Sequence, residues 1–72
     1  MFKIAFYLLD LRDNSFKKVY FKKWEENIPR FTNKKKATLY LSSTSANQDI
    51  EKLKKAESPT AKTLSIKSEE AE

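Results

Sequence analysis

Four acidic side chains, Asp10, Asp13, Glu25 and Glu26, lie close along the chain to Lys17, Lys18, Lys22 and Lys23. Carboxylates and a lysine are the raw material of a metal-dependent nuclease, in which two or three acids converge on a divalent ion. The spacing argues against that arrangement. Asp10 and Asp13 bracket a turn, and the adjacent Glu25 and Glu26 diverge on either a strand or a helix, so solvated charges flanking a hairpin are the expectation. Ser42, Ser43 and Ser45 have no histidine to activate them, because the chain contains none. It also contains no cysteine and no glycine. That removes thiolate chemistry and Cys-based zinc sites. It also removes the glycine-rich loops that let a backbone approach phosphate. No catalytic residue, metal ligand or cofactor is expected, and the chain reads as a binding protein rather than an enzyme.

The binding chemistry is basic and aromatic. Ten Lys/Arg against four Asp/Glu leave residues 1–36 at +6, whereas five Lys against six Asp/Glu leave residues 37–72 at −1. All nine aromatic residues fall in the first forty positions. Lys17, Lys18, Lys22 and Lys23, followed by Arg30 and Lys34, Lys35 and Lys36, have the charge to track a phosphate backbone. Strand alternation predicts Phe16, Tyr20 and Trp24 on one face, with Lys18 and Lys22 beside them, as a platform on which unpaired bases would stack. The competing expectation is that these rings form the core while the lysines keep a small domain in solution. No helix-turn-helix, zinc-finger or RNA-recognition signature is present, so sequence-specific reading is not expected.

The elements that must position these groups follow from periodicity. Between Phe2 and Leu11, Phe2, Ile4, Phe6 and Leu8 alternate with Ala5, Tyr7, Leu9 and Leu11. A strand apolar on both faces belongs in the middle of a sheet, or in a sheet whose second face is covered. Arg12 to Ser15 forms the turn of an antiparallel hairpin with Phe16–Trp24, Asp13-Asn14 supplying left-handed backbone without glycine. Trp24 to Phe31, interrupted by Pro29, is expected as a loop with at most one helical turn. Residues 32–41 suit a helix start or a strand, and the Ser/Thr cluster at 42–45 favours a short strand. Ser45 to Glu57 is predicted as an amphipathic helix, Ser45 and Gln48 forming a capping box, Ala46, Ile50 and Leu53 on the buried face, and Ser58-Pro59 ending it. Ala61 to Lys67 follows as an edge strand with Leu64 and Ile66 on its buried side.

These elements define a small two-layer α+β domain over residues 1–67, one helix packed on a three- or four-stranded sheet, with 68–72 as an acidic disordered tail. A two-layer domain leaves one sheet face open, and so calls for a second copy of the chain or another partner to cover it. The apolar N-terminus is shorter than a membrane span and lacks a cleavage pattern, so a cytoplasmic protein that does not engage membranes is expected.

The layout resembles small accessory proteins of phages and mobile elements in low-GC Gram-positive bacteria. The resemblance is carried by a tryptophan in the second strand (Trp24), the phrase RFTNKKKATLYL with Phe31, Thr32 and Ala37, a lysine-rich helix with Ile50 and Leu53, and the closing AKTLSIK with Leu64 and Ile66. It implies a helical segment after Phe31. It also implies an anti-defence role, in which a phage-encoded inhibitor occupies a host nuclease or a CRISPR-type nucleoprotein complex in the bacterial cytoplasm. The net charge of +5 does not suit an acidic DNA mimic. A basic inhibitor belongs on an acidic protein face or on nucleic acid within the complex. The residues expected to carry contact are Lys17, Lys18, Tyr20, Lys22, Lys23, Trp24, Arg30, Lys34, Lys35 and Lys36. The alternative function is weakly specific binding of single-stranded DNA or RNA.

Overall fold

The doubly apolar first strand, β1 (Phe2–Asp10), lies where its sequence requires, between two neighbours. A computed structural model of the chain describes residues 1–56 and 60–71. It forms a four-stranded antiparallel sheet in the order β3-β2-β1-β4, with one helix on one face, an α+β architecture. Ile4, Phe6 and Leu8 point toward the helix and are buried, while Ala5, Tyr7 and Leu9 face the other side. β2 (Ser15–Glu25) pairs with β1 through the expected hairpin. Its turn uses Asn14 in left-handed backbone, φ 55°, and the Asp13 carboxylate accepts the Ser15 amide at 3.1 Å.

The segment 24–31 is a hairpin rather than a loop. Glu26 and Asn27 both adopt positive φ, 52° and 65°, which gives the two-residue turn whose twist matches flanking strands. Glutamate at such a position is unusual, and this is why no turn is legible there from composition. β3 (Ile28–Thr32) tolerates Pro29 because it is an edge strand and needs no ladder donor on its outer side. A bulge between Phe21 and Lys23 shifts the register of β2 against β3. The extra residue rotates Trp24 to the helix side, where its ring meets Phe21 edge-on at 5.8 Å. The shared face predicted for Phe16, Tyr20 and Trp24 is therefore broken at Trp24.

Residues 32–41 form neither the favoured strand nor a long helix. Thr32 ends β3, Lys34–Lys36 make one 3-10 turn capped by the Asn33 side chain, and Ala37 packs on Ala5 and Tyr20. The Thr38 amide then donates to the Phe21 carbonyl at 3.3 Å, and Tyr40 exchanges two 2.8 Å backbone bonds with Phe2. Lysines at 34–36 leave this stretch without an apolar stripe, so the backbone finds its partners at the sheet's end instead.

The helix, α1 (Ser43–Leu53), starts two residues before the predicted position. Ser42, not Ser45, is the cap: its hydroxyl accepts the Ser45 amide at 3.2 Å. Ala46, Ile50 and Leu53 are buried as expected against Phe6, Leu8 and Phe21. The helix ends at Leu53, with Lys54 as its cap, short of the expected end at Glu57, and the Ser58-Pro59 stop lies outside the described residues. Tyr40 donates from its hydroxyl to Asp49 at 2.6 Å, which ties the crossing segment to α1.

β4 (Ala61–Glu70) is the second edge, antiparallel to β1. Two expectations change here. A register shift opposite Tyr7/Leu8 leaves Leu64 between the paired residues Thr63 and Ser65, so it is half exposed and outside the core, whereas Ile66 packs opposite Phe6. Ser68–Glu70, assigned to a disordered tail, pair with Ile4, Lys3 and Phe2, and the Ala71 amide donates to the Met1 carbonyl at 2.7 Å. Main-chain pairing to a buried central strand orders residues whose side chains give no apolar signal. Among the described residues no helix is long and apolar enough to cross a membrane.

Candidate binding face

The sheet face opposite α1 is a grid set by strand register. Leu9 on β1 is flanked by Phe16 on β2 and Lys62 on β4. Tyr7 is flanked by Lys18 and Ser65, and Ala5 by Tyr20 and Lys67. Phe16 is 76% exposed and Tyr7 36%, so two aromatic rings stand open on this face. A shallow hollow of about 310 Å³ lies among Tyr7, Phe16, Lys18 and Leu64.

The cations are arranged around the rings. The Lys18 ammonium is 5.4 Å from the Tyr7 ring centroid and 5.5 Å from that of Tyr20, and the Lys67 ammonium is 5.9 Å from Tyr7. Ala5 is small enough for longer side chains to reach one another above it. Over it Glu69 accepts a 2.9 Å ion pair from Lys18 and a 2.9 Å hydrogen bond from the Tyr20 hydroxyl. Lys18 and Tyr20 hold the Glu69 carboxyl below its ordinary range, and Glu69, with the two tyrosines, pushes Lys18 above its own. Among the described residues Lys62 and Lys67 have no carboxylate within ion-pair distance.

The expected contact residues divide between two sides. Lys18 and Tyr20 belong to the open face, although Tyr20 is buried beneath Ala37. Lys34, Lys35 and Lys36 are exposed on the 3-10 turn, where the Lys34 carbonyl accepts the Lys3 ammonium. Lys23 and Arg30 are paired positions at the β2–β3 end, with Glu25 3.8 and 3.5 Å from their charges. Lys22 falls in the bulge, and its carbonyl accepts the Thr38 hydroxyl. Trp24 has rotated to the helix side. Tyr7, Lys62, Lys67 and Glu69 were not singled out from the sequence. Alternation exposed Tyr7, but only the β1–β4 register brings the last three beside it.

Lys17, an expected contact residue, lies on the helix side of β2. Its ammonium is 2.9 Å from Asp10 and 3.2 Å from Asp13, so the fold does bring two acids and a lysine together. Asp10, 4% exposed, is spent on structure, because the Arg12 guanidinium and amide also bond its two oxygens at 2.9–3.1 Å. Lys17 and Arg12 border a groove of about 400 Å³ over Leu8, Val19 and Phe31. Among the described residues no group of three or more acids is placed to hold a metal ion.

This network predicts an acid response. Arg12, then Lys17, hold the Asp10 carboxyl well below the carboxylate range, and Ser15 and Lys17 lower Asp13. A carboxyl depressed in the folded state stabilises it fully above the unfolded pKa of about 4, and that contribution is lost as pH falls through the folded value. Thermal melts from pH 7 to pH 2 should therefore show Tm level above about pH 5 and falling below it. Asp10→Asn should melt lower at pH 7 and converge on the parent in acid. A constant gap at every pH would show that Asp10 does not stabilise through its charge.

Comparison of the chain with protein-family models, curated proteins and solved structures returns no match. A functional reading rests on the chemistry of the face itself.

Proposed function

We propose that this chain is a non-enzymatic binding protein whose open sheet face holds single-stranded nucleic acid. The observation that carries the reading is the interleaving of exposed Phe16 and Tyr7 with Lys62 and Lys67 on the sheet face opposite α1, beyond the Ala5–Tyr20 end that Ala37 covers. Aromatic faces accept any unpaired base by stacking, and ammonium groups beside them neutralise the linking phosphates. Lys3 and the Lys34–Lys36 turn extend positive charge along the same side. Nothing in the arrangement forms base-edge readout, so low sequence preference follows.

A second reading is the inhibitor of a host nuclease or CRISPR-type nucleoprotein complex. It is favoured by Met1, Leu39 and Leu41, which are 56%, 52% and 83% exposed and have no use for a phosphate backbone.

Fluorescence anisotropy with a labelled 15-nucleotide strand, and the matching duplex as control, tests the first reading. Binding to the single strand should weaken with a log–log salt slope of about −2 to −3, as expected for three to four neutralised phosphates. Phe16→Ala should weaken it about 5- to 100-fold through lost stacking. Absence of binding at 50 mM salt, or an unchanged affinity in Phe16→Ala, would overturn the reading. A stoichiometric protein retained from nuclease-treated bacterial lysate, and lost in Leu41→Ser, would turn the assignment to the inhibitor.

A further inference from the structure

On the open face one position is already occupied by an anion of the protein's own. The Glu69 carboxylate places one oxygen 2.9 Å from the Lys18 ammonium and the other 2.9 Å from the Tyr20 hydroxyl. An ammonium and a hydroxyl converging on two oxygens of one planar anion are the contacts that a phosphodiester's two free oxygens would also take. We infer that Lys18 and Tyr20 form an oxyanion subsite for a backbone phosphate, and that Glu69 fills it in the free protein. This rests on the nucleic-acid reading above and adds to it a residue that sets affinity.

The surroundings support a side chain able to leave and a subsite able to stay. Glu69 lies on an edge strand with its side chain 31% exposed, so it can swing to solvent while the backbone keeps its pairing to Lys3. The Lys18 side chain is 41% exposed, and its ammonium lies 5.4 and 5.5 Å from the Tyr7 and Tyr20 ring centroids, contacts that an incoming phosphate would leave in place. Tyr20 is 6% exposed and fixed against Ala5 and Ala37. The Tyr20 donor is therefore held in place before any ligand arrives, which lowers the ordering cost of binding. Of the three groups, the anion is the one that a phosphate would replace, since the ammonium and the hydroxyl are the donors it needs. Lys62 and Lys67, with no competing carboxylate among the described residues, provide the initial attraction, and a phosphate then displaces Glu69.

The test is a charge-removing substitution that leaves shape unchanged. Glu69→Gln should bind the 15-nucleotide strand about fivefold more tightly at 50 mM salt, the effect of freeing one partly exposed cation. Its salt slope should steepen by about 0.7, one additional neutralised phosphate on a single strand. Glu51→Gln makes the same change of net charge on α1 and should leave affinity within twofold. In the Lys18→Gln background Glu69→Gln should give no gain, since the cation it releases is gone. Thermal melts of each variant establish that it is folded before binding is read. If the parent binds and Glu69→Gln is no tighter, or if Glu51→Gln gains equally, the subsite is overturned while the nucleic-acid reading stands. If neither parent nor Glu69→Gln binds any strand, both fall together.

Discussion

Phe6→Ala should lower the stability of the chain by about 3–5 kcal/mol, whereas Phe16→Ala on the neighbouring strand should leave it within about 0.5 kcal/mol of the parent. The two residues have the same side chain and opposite surroundings. Phe6 is 1% exposed at the centre of β1, packed edge-on against Phe31 at 4.8 Å and beside Ile66 on β4. Truncating such a ring removes its transfer free energy and leaves a cavity, which together cost about 3–5 kcal/mol. A chain of this length holds roughly 4–11 kcal/mol in all. The loss at Phe6 thus takes from about a quarter to all of that margin. Urea denaturation followed by tryptophan fluorescence measures both variants, since Trp24 lies against Phe21 on the same side of the sheet. Equal midpoints for the two variants would mean that the core is not centred on β1.

Ending the chain at Lys67 should cost about 2–4 kcal/mol, judged from several backbone hydrogen bonds at 0.5–1.5 kcal/mol each together with the Glu69 contacts. Residues 68–71 carry the pairing of β4 to Phe2, Lys3 and Ile4 and the bond from Ala71 to Met1. They also carry the carboxylate that joins Lys18 to Tyr20. A frayed tail would be removed without consequence, so the measurement separates the two descriptions cleanly. The shortened chain should also expose the free edge of β1 and self-associate, which sedimentation would detect. An unchanged melting temperature would return these residues to solvent.

The contrast between these residues shows what could be read from types and order alone. Alternation over Phe2–Leu11 located a central strand, and the spacing of Ala46, Ile50 and Leu53 located the buried side of the helix, because burial demands a periodic apolar pattern. The hairpin at Asp13-Asn14 was legible from its turn chemistry, whereas the second hairpin hid behind Glu26, whose left-handed backbone no propensity announces. The bulge after Phe21 was equally silent. One unpaired residue reverses the side of everything beyond it, and so removed Trp24 from the predicted platform. Residues 68–70 look disordered by composition, and only their partner strand makes them ordered. Of the expected contacts, Lys18 and Tyr20 were found on the open face by local alternation. Lys62, Lys67 and Glu69 reach it through pairing between the first and last strands, a relation of high sequence separation that no local pattern encodes.

That same pairing sets the order in which the protein can be made. β1 precedes its two neighbours along the chain and lies between them in the sheet, and β4, which closes its second side, follows β2, β3 and α1. While the intervening residues are being translated, β1 can pair with β2, but its other edge has no partner. The nascent chain therefore carries an apolar, uncapped ribbon until β4 has been made. When β4 does arrive, the Ala71 amide reaches the Met1 carbonyl and the second side of β1 closes along its whole length.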